Sequence, residues 1–534
     1  MKFSKAARPV IMGQNGMVSS GHYLASLAGV EILKEGGNAV DAALAAAFVS
    51  AVVKPETSGP GGDLFALVSM KKSGKVQALN ASGPAPAKAS IEEFHRLGLK
   101  SVPQYGPLAI AVPGAVDGWL ELHKKYGTVD LARLTADAVR IGREGFPISL
   151  EFSEAVHEFA PNYPWVDKYY RQPFGTAKPG KILMQPGLAG VLEKIARRGR
   201  AGFYSGEIAE KICATVKAEG GLLAQEDLQP VVCQWLEPLA STYRDTTVYE
   251  QPPVSQGFMV LEMLNIAEAW PFHDGSMSQA EILHFQIAAK KLAFEDRIKH
   301  LEDPAFGDSK IIAQLISKEH AAQRRLLVDE ILRRPAVSAG HQSSDTTYLC
   351  ATDRDGNAIS FIQSVFAPFG SRVIAGDTGV IMNNRLCSFG LDPSKANALK
   401  PGKRPAHTLN TYMVFRGGEV FALGGSPGAD EQPQTNFQII HDLVDLDMDP
   451  QSAVEAPRWS HMPGTPPRDQ LPEALRMEDG YPSATLDGLR AKGHTVTVVD
   501  RWSFGSAKVI VRDRENGSWL GGADPRRVAY ALGW

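Results

Sequence analysis

The chain has 534 residues, of which 44% are hydrophobic and 22% charged, with a formal net charge of −3. This is an ordinary globular balance that can bury a sizeable core, and it argues against a large basic nucleic-acid footprint. No run approaches the ~18 apolar residues needed to cross a bilayer, and the N-terminus, MKFSKAARPVIMGQNG, has no apolar stretch of the secretory kind. The expectation is a soluble, cytoplasmic protein with no membrane and no nucleic-acid partner. Cys213, Cys233, Cys350 and Cys387 are scattered, with no CxxC and no His/Cys cluster at metal-ligand spacing. They read as reduced thiols, and no metal is expected.

The first predicted element is an amphipathic helix, LASLAGVEILKE (24–35), ended by Gly36-Gly37. Asn38 then caps AVDAALAAAFVSAVV, apolar all round and so a buried helix. Pro55 stops it, and SGPGGD (58–63) leads into a strand, LFALVSM. After VQALN and the turn AVPGAVDGW, a long helical region is predicted from about 117 to 330, with loops at 224–228 and 249–257. The segment 334–345 has little to bury and several turn formers. From 346 the pattern becomes β-rich. TTYLCAT and AISFIQS flank the hairpin turn DRDGN, and VIMNN, YMVF and EVFALGG continue as strands. Helices near 434–446 and 485–491 follow, and VTVVD and KVIVRD close the sheet. The chain thus divides near 345, mostly helix before and sheet-rich after, with the buried alanine-rich helix needing a surface that the later sheet can supply.

Two threonines open the strand at 346, directly after a segment with little to bury. A threonine hydroxyl needs a base to act as a nucleophile at neutral pH. Its own α-amine, with a pKa of about 7.7–8.0, is such a base once the residue becomes a chain terminus. Cleavage of Asp345–Thr346 by the Thr346 hydroxyl, through an N-to-O acyl shift, would free that amine. Taken alone, Thr-Thr at a strand start is usually just β-propensity.

The surrounding motifs decide between these readings. GGNAVDAALAAA (36–47), KPETSGPGGDLF (54–65), AVPGAVDGW (111–119), KYGTVDL (125–131), AFEDR (293–297), DTTYLCATDRDGNAISF (345–361), FGSRVIAGDTGVIMNNR (369–385), KRPAHTL (403–409), EAPRW (455–459) and GADPRR (522–527) run in order over nearly the whole chain. Together they resemble the γ-glutamyltransferase (γ-glutamyltranspeptidase) family of N-terminal-nucleophile hydrolases. The resemblance implies an α+β fold, a four-layer αββα sandwich. It also implies self-cleavage into a large subunit, 1–345, and a small one, 346–534, which stay together as an αβ heterodimer whose further dimerisation is open. No cofactor is implied.

Carried over residue by residue, the resemblance makes Thr346 the nucleophile and Ser364 the hydroxyl that supports it, where the family often has threonine. Gly428 and Ala429, in GGSPGAD (424–430), fall on the family's Gly-Gly pair, whose N–H groups hold the oxyanion. GGSPG also matches a serine-hydrolase elbow, but the residue after Ser426 is Pro427, which has no N–H to give. SGPGGD lacks the lysine of a phosphate loop and reads as close backbone packing.

The chain departs from glutathione-type members where they grip a glutamyl head. Ser82 stands at their arginine, Arg385 and Ser388 stand near their acidic residue, and His407-Thr408 replaces a serine pair. A guanidinium near the nucleophile suits a substrate carboxylate, although a structural ion pair is the alternative for Arg385. The pattern is similar to the branch that contains oxamate amidohydrolase. The expected activity is hydrolysis of a small carboxylate-bearing amide through an acyl-enzyme, with Arg385, His407 and Thr408 in the pocket bordered by 388–405. The alternatives are a true γ-glutamyltransferase or glutathione hydrolase, a glutaryl or cephalosporin acylase, and a non-enzymatic scaffold of the same fold.

Overall fold

Three separate apolar clusters sort the chain into layers. In the computed structural model, which describes residues 1–4, 6–159, 177–308, 310–333, 346–462 and 474–534, two seven-stranded sheets lie between two helical layers. The first sheet runs, in spatial order, Tyr530–Gly533, Gly16–Ser20, Thr347–Asp353, Ala358–Ser364, Asp63–Met70, Lys75–Ala81, Gln234–Leu236. The second runs Ile11–Gly13, Ser518–Ala523, Lys508–Asp513, Glu419–Gly425, Tyr412–Arg416, Thr246–Glu250, Leu239–Tyr243. All neighbouring strands in both are antiparallel.

The layering follows from the two-residue period of a strand. Leu64, Ala66 and Val68 face the helix-side cluster, while Phe65 and Leu67 face the cluster between the sheets. Leu349 and Ala351 separate from Tyr348 and Cys350 in the same way. Both faces are buried, so these strands read as unbroken apolar runs. Against the first sheet pack Tyr23–Lys34 and Ala39–Val53, and all fifteen residues of the latter are buried. Asn38 caps it by accepting from the N–H groups of Val40 and Asp41, and Asp41 returns the bond to the Asn38 N–H, a capping box. Against the second sheet lie Phe258–Ala267, Gln279–His300, Glu431–Val444 and Pro450–Glu455. The expected four-layer αββα sandwich is thus the observed one.

Several element expectations need correction. The helical region predicted from 117 to 330 is interrupted by five strands, the short pair Phe146–Pro147 and Ile182–Leu183 and then Gln234–Leu236, Leu239–Tyr243 and Thr246–Glu250. Gln234–Leu236 and Leu239–Tyr243 lie at sheet edges with Thr246–Glu250 one place in, and Leu239–Tyr243 buries only Tyr243 while its Ser and Thr dilute the apolar alternation. VIMNN is no strand. Its backbone serves the SGPGG loop instead, with the Asn383 N–H donating to Gly61 O at 3.0 Å. VTVVD pairs in parallel with Ala474–Glu478 in a separate three-stranded sheet rather than closing a main one. The composition break near 345 is not an architectural one, because both sheets interleave strands from before and after it.

The SGPGGD loop packs as its glycines require. A Cβ on Gly61 would lie 2.1 Å from Ile381 O, and one on Gly62 would lie 2.4 Å from Ser364 O. Gly62 O in turn accepts the N–H groups of Gly114 and Ala115, both at 2.8 Å. Gly62→Ala is expected to lower unfolding stability by about 1–3 kcal/mol through overpacking, read from a urea titration.

Candidate functional site

Thr346 immediately precedes the central strand Thr347–Asp353. That strand pairs with Ala358–Ser364 so that Thr347 faces Gln363, which sets Thr346 beside Ser364. The Thr346 hydroxyl donates to Ser364 Oγ at 3.2 Å, and Ser364 Oγ also accepts the Phe366 N–H at 2.8 Å. The next threonine is held differently, its hydroxyl 2.5 Å from that of Thr57 in the KPETSG loop. Thr346 and Ser364 are 3% and 1% exposed. Asp345, the other side of the expected scissile bond, lies outside the described residues.

The second sheet reaches the same end. Gly424 and Gly425 end the strand Glu419–Gly425, where a Cβ would lie 2.1 Å from the Tyr412 hydroxyl and 2.5 Å from the Tyr348 ring respectively. Only glycine admits these side chains, and at Gly425 this lets the two sheets approach closely. The turn that follows carries Gly428 at φ +125° and Ala429 at φ +47°, a left-handed backbone that costs a non-glycine residue about 1–2 kcal/mol. Glu431–Val444 then starts, with the Glu431 N–H on Gly428 O at 2.8 Å. Ser426 is fully buried and its hydroxyl donates to Pro427 O at 2.8 Å, which fits a structural serine.

Gln256, read from sequence as part of a loop, ties this turn to the rest. Its side-chain amide donates to Ala429 O at 2.9 Å and to Thr408 O at 2.8 Å. Asp430 accepts from Arg297 Nη1 at 2.7 Å, so the AFEDR helix also braces the turn.

A second residue the sequence reading passed over is Asp63. It pairs by register with Ser364, and its carboxylate is fully buried. Oδ2 lies 3.2 Å from His407 Nε2 and 3.5 Å from Arg385 Nε, while Oδ1 accepts the Gly83 N–H at 3.0 Å. The available signal was an acid opening an otherwise apolar strand, because a buried charge must find a partner. Arg385 is therefore in an ion pair, as the alternative reading had it, yet it keeps donors to spare. Nη1 reaches Thr408 Oγ1 at only 3.4 Å, and Nη2 has no acceptor among the described residues. Its guanidinium lies 3.9 Å from the Phe366 ring centre, a cation–π contact. Burial pulls Arg385 down to about 10 against the opposing charge of Asp63. Burial and then the Arg385 charge push His407 down to about 4, so the ring is neutral near pH 7.

Phe366, Cys387, Ser388, Ala406, Thr408 and Arg297 contribute to the wall of an adjoining cavity of about 830 Å³, much of whose remaining lining comes from 389–397. Ser82 takes no part with its side chain, which donates to Asn80 Oδ1 at 2.7 Å. Phe366, Phe369 and Arg372 all have positive φ, and such clustering marks a backbone held by its surroundings at a working site.

The gamma-glutamyltranspeptidase family model matches residues 25–534. The chain belongs to the gamma-glutamyltranspeptidase family. It is similar to the glutathione hydrolase-like YwrD proenzyme of Bacillus subtilis, at 38% identity over 98% of this chain and 99% of the relative. It is 33% identical to the oxamate amidohydrolase proenzyme of Klebsiella pneumoniae, over 97% and 98% of the two chains. The crystal structure of cephalosporin acylase from Bacillus halodurans superposes with a TM-score of 0.89 at 34% identity, covering 99% of this chain and 98% of that one. As a gamma-glutamyltranspeptidase-family member the chain is an N-terminal-nucleophile enzyme, made as a proenzyme.

Among the described residues one further cluster has metal-ligand types. Ligand atoms of Glu262, Asp296 and His320 lie within 4.8 Å of one another. Arg324 Nε stands 3.0 Å from Asp296 Oδ2, and His320 Nε2 stands 3.1 Å from the same oxygen. Hydrogen bonding to Asp296 and then Glu262 raises His320 to about 9, and burial raises Glu262 to about 8. Two cations already answer the two acids, so the group is an ion cluster tying three helices together. A raised histidine stabilises fully below its ordinary 6.5 and loses that contribution as pH climbs through about 9. The melting temperature is expected to fall across that window, and His320→Gln should melt lower at its start and flatten the profile.

Proposed function

We propose that the protein is a self-processing amidohydrolase that cuts small amides bearing a carboxylate, with Thr346 as nucleophile. The observation that carries this reading is the Thr346 hydroxyl, bonded at 3.2 Å to Ser364 at the head of a central strand. In the precursor, Thr346 Oγ attacks the carbonyl carbon of Asp345. The C–N bond breaks and frees the Thr346 amine, an ester forms on Oγ, and water then releases the Asp345 carboxylate and the Thr346 hydroxyl. The subunits are then 1–345 and 346–534.

In turnover the same oxygen attacks the substrate amide while the α-amine, near pKa 7.7–8.0, takes its proton. The tetrahedral oxyanion is received by the N–H groups of Gly428 and Ala429, which have positive φ and stand just ahead of a helix. The amine returns the proton to the leaving nitrogen, ammonia or amine departs, and water cleaves the acyl ester. Ser364 orients the nucleophile. The carboxylate is received by Arg385, whose uncommitted Nη2 is the buried donor in search of an acceptor. Similarity to the oxamate amidohydrolase of Klebsiella pneumoniae supports this substrate class. The cavity of about 830 Å³ favours a second reading, an acylase that releases a larger amine.

Purified wild type is expected as two fragments, the smaller beginning Thr-Thr-Tyr, and Thr346→Ala as one uncut chain of 57.7 kDa. A different first residue in active enzyme would end the assignment. Processed enzyme should release ammonia or amine from oxamate or a glutaryl amide, and Arg385→Met should raise KM about 10–100-fold, the loss of a charge-assisted bond of about 1.5–3 kcal/mol. Efficient turnover of a γ-glutamyl anilide, stimulated by glycylglycine, would instead make it a γ-glutamyltransferase.

A further inference from the structure

Charge counting around Arg385 exposes a difficulty for any anionic substrate. The guanidinium faces Asp63 at 3.5 Å, and both side chains are fully buried. His407 faces the same carboxylate at 3.2 Å, with the Phe65 ring on its other contact at 4.7 Å between centroids. The Leu409 N–H points at His407 Nδ1 at 3.3 Å, which assigns the ring proton to Nε2 and makes it the donor to Asp63. Asp63 and Arg385 are the charged groups that bear on the imidazole. Arg404, three residues before His407, donates its guanidinium to the Ser82 and Val232 carbonyls and its backbone N–H to Asp303 Oδ2 at 2.8 Å; its charge is opposed first by Asp303 and then by Asp63, so Arg404 and Asp303 count as one further pair of opposite charges. The empty pocket is therefore neutral: one anion, one cation and a neutral imidazole. A substrate carboxylate laid against Arg385 would leave a net negative charge with no exposure to water, a costly state.

We propose that Asp63 and His407 form a proton-accepting pair in the acyl pocket, so that a substrate's carboxylate engages Arg385 together with one proton taken up from solvent onto that pair. The inference rests on the carboxylate reading of Arg385 given above. Asp63 is then a positioning and specificity-determining residue. It holds Arg385 in place through the ion pair, and it makes anion binding conditional on the proton. In the empty site His407 is depressed to about 4, and a bound anion raises the proton affinity of the pair. Between those two limits each carboxylate bound carries one proton in.

The test is steady-state kinetics of the processed enzyme on oxamate and on its uncharged isostere oxamide, from about pH 5 to pH 8. The KM for oxamate is expected to rise by up to about tenfold per pH unit over part of that range, as linkage to one proton requires, while the KM for oxamide does not follow it. Titration of the Thr346 amine acts on both substrates alike and cancels in the comparison. Asp63→Asn removes the anion that the proton offsets, so its KM for oxamate should lose the slope and fall below that of wild type at the high-pH end. A purely structural aspartate would raise KM at every pH. If Asp63→Asn does not fold, the wild-type comparison still decides. Parallel profiles for oxamate and oxamide, or an unchanged slope in Asp63→Asn, overturn the proton-linked pair and leave the amidohydrolase reading standing. Turnover of oxamide alone, or of neither, overturns the carboxylate reading of Arg385 and this inference with it.

Discussion

A carboxylate sealed from water has to be met by partners, and Asp63 organises the site through that requirement. The acid opens a strand that is buried on both faces, register-paired with Ser364. Its partners come from sequence positions more than three hundred residues away, Arg385 and His407. Breaking such a pair leaves an uncompensated charge and typically costs about 3–5 kcal/mol. The segments 383–388 and 403–409 are thereby fastened to the strand that neighbours Ser364, the partner of Thr346. The candidate pocket and Thr346 are built on one rigid frame, which is what a catalytic geometry needs.

The frame does not depend on the chain being continuous at 345. Thr347–Asp353 lies between Gly16–Ser20 and Ala358–Ser364, and Ala358–Ser364 lies against Asp63–Met70. Residues from both sides of the expected cut thus contribute neighbouring strands to one sheet and share the apolar cluster beneath the first helices. A proenzyme that severs its own backbone needs this arrangement, because the products must remain assembled through packing alone. The interleaving also explains why composition divides near 345 while the architecture does not.

Close backbone approach is the second device. Gly61 and Gly62 press on the backbone of Ile381 and Ser364, and Gly424 and Gly425 admit the rings of Tyr412 and Tyr348. At the turn that follows, Ala429 tolerates a left-handed backbone while Gln256 fastens its carbonyl to that of Thr408. Arg297 on Asp430 braces the same turn from the long helix whose neighbouring Asp296 belongs to the His320 ion cluster. The helical layer and the turn at 426–430 are therefore mechanically continuous.

The sequence by itself determined the fold class, the capped and wholly buried helix at 39–53 and the hairpin around 353–357, and it named Thr346, Ser364, Arg385, His407, Gly428 and Ala429 as candidates. These are legible because caps, turns, glycine loops and family motifs are local features along the chain. The three strands between 234 and 250 were not legible, because short strands at or next to a sheet edge, with polar outer positions, carry little periodicity. VIMNN misled for the opposite reason, since its apolar residues fill a crossing over a glycine loop rather than a ladder. Asp63 and Gln256 were passed over because their roles exist only in their partners. A buried carboxylate, or an amide bridging two carbonyls, is defined by groups that only the folded chain brings within hydrogen-bonding distance. Tertiary structure alone decided that Arg385 is both paired and unsaturated, because charge balance belongs to a volume of space and not to a stretch of sequence.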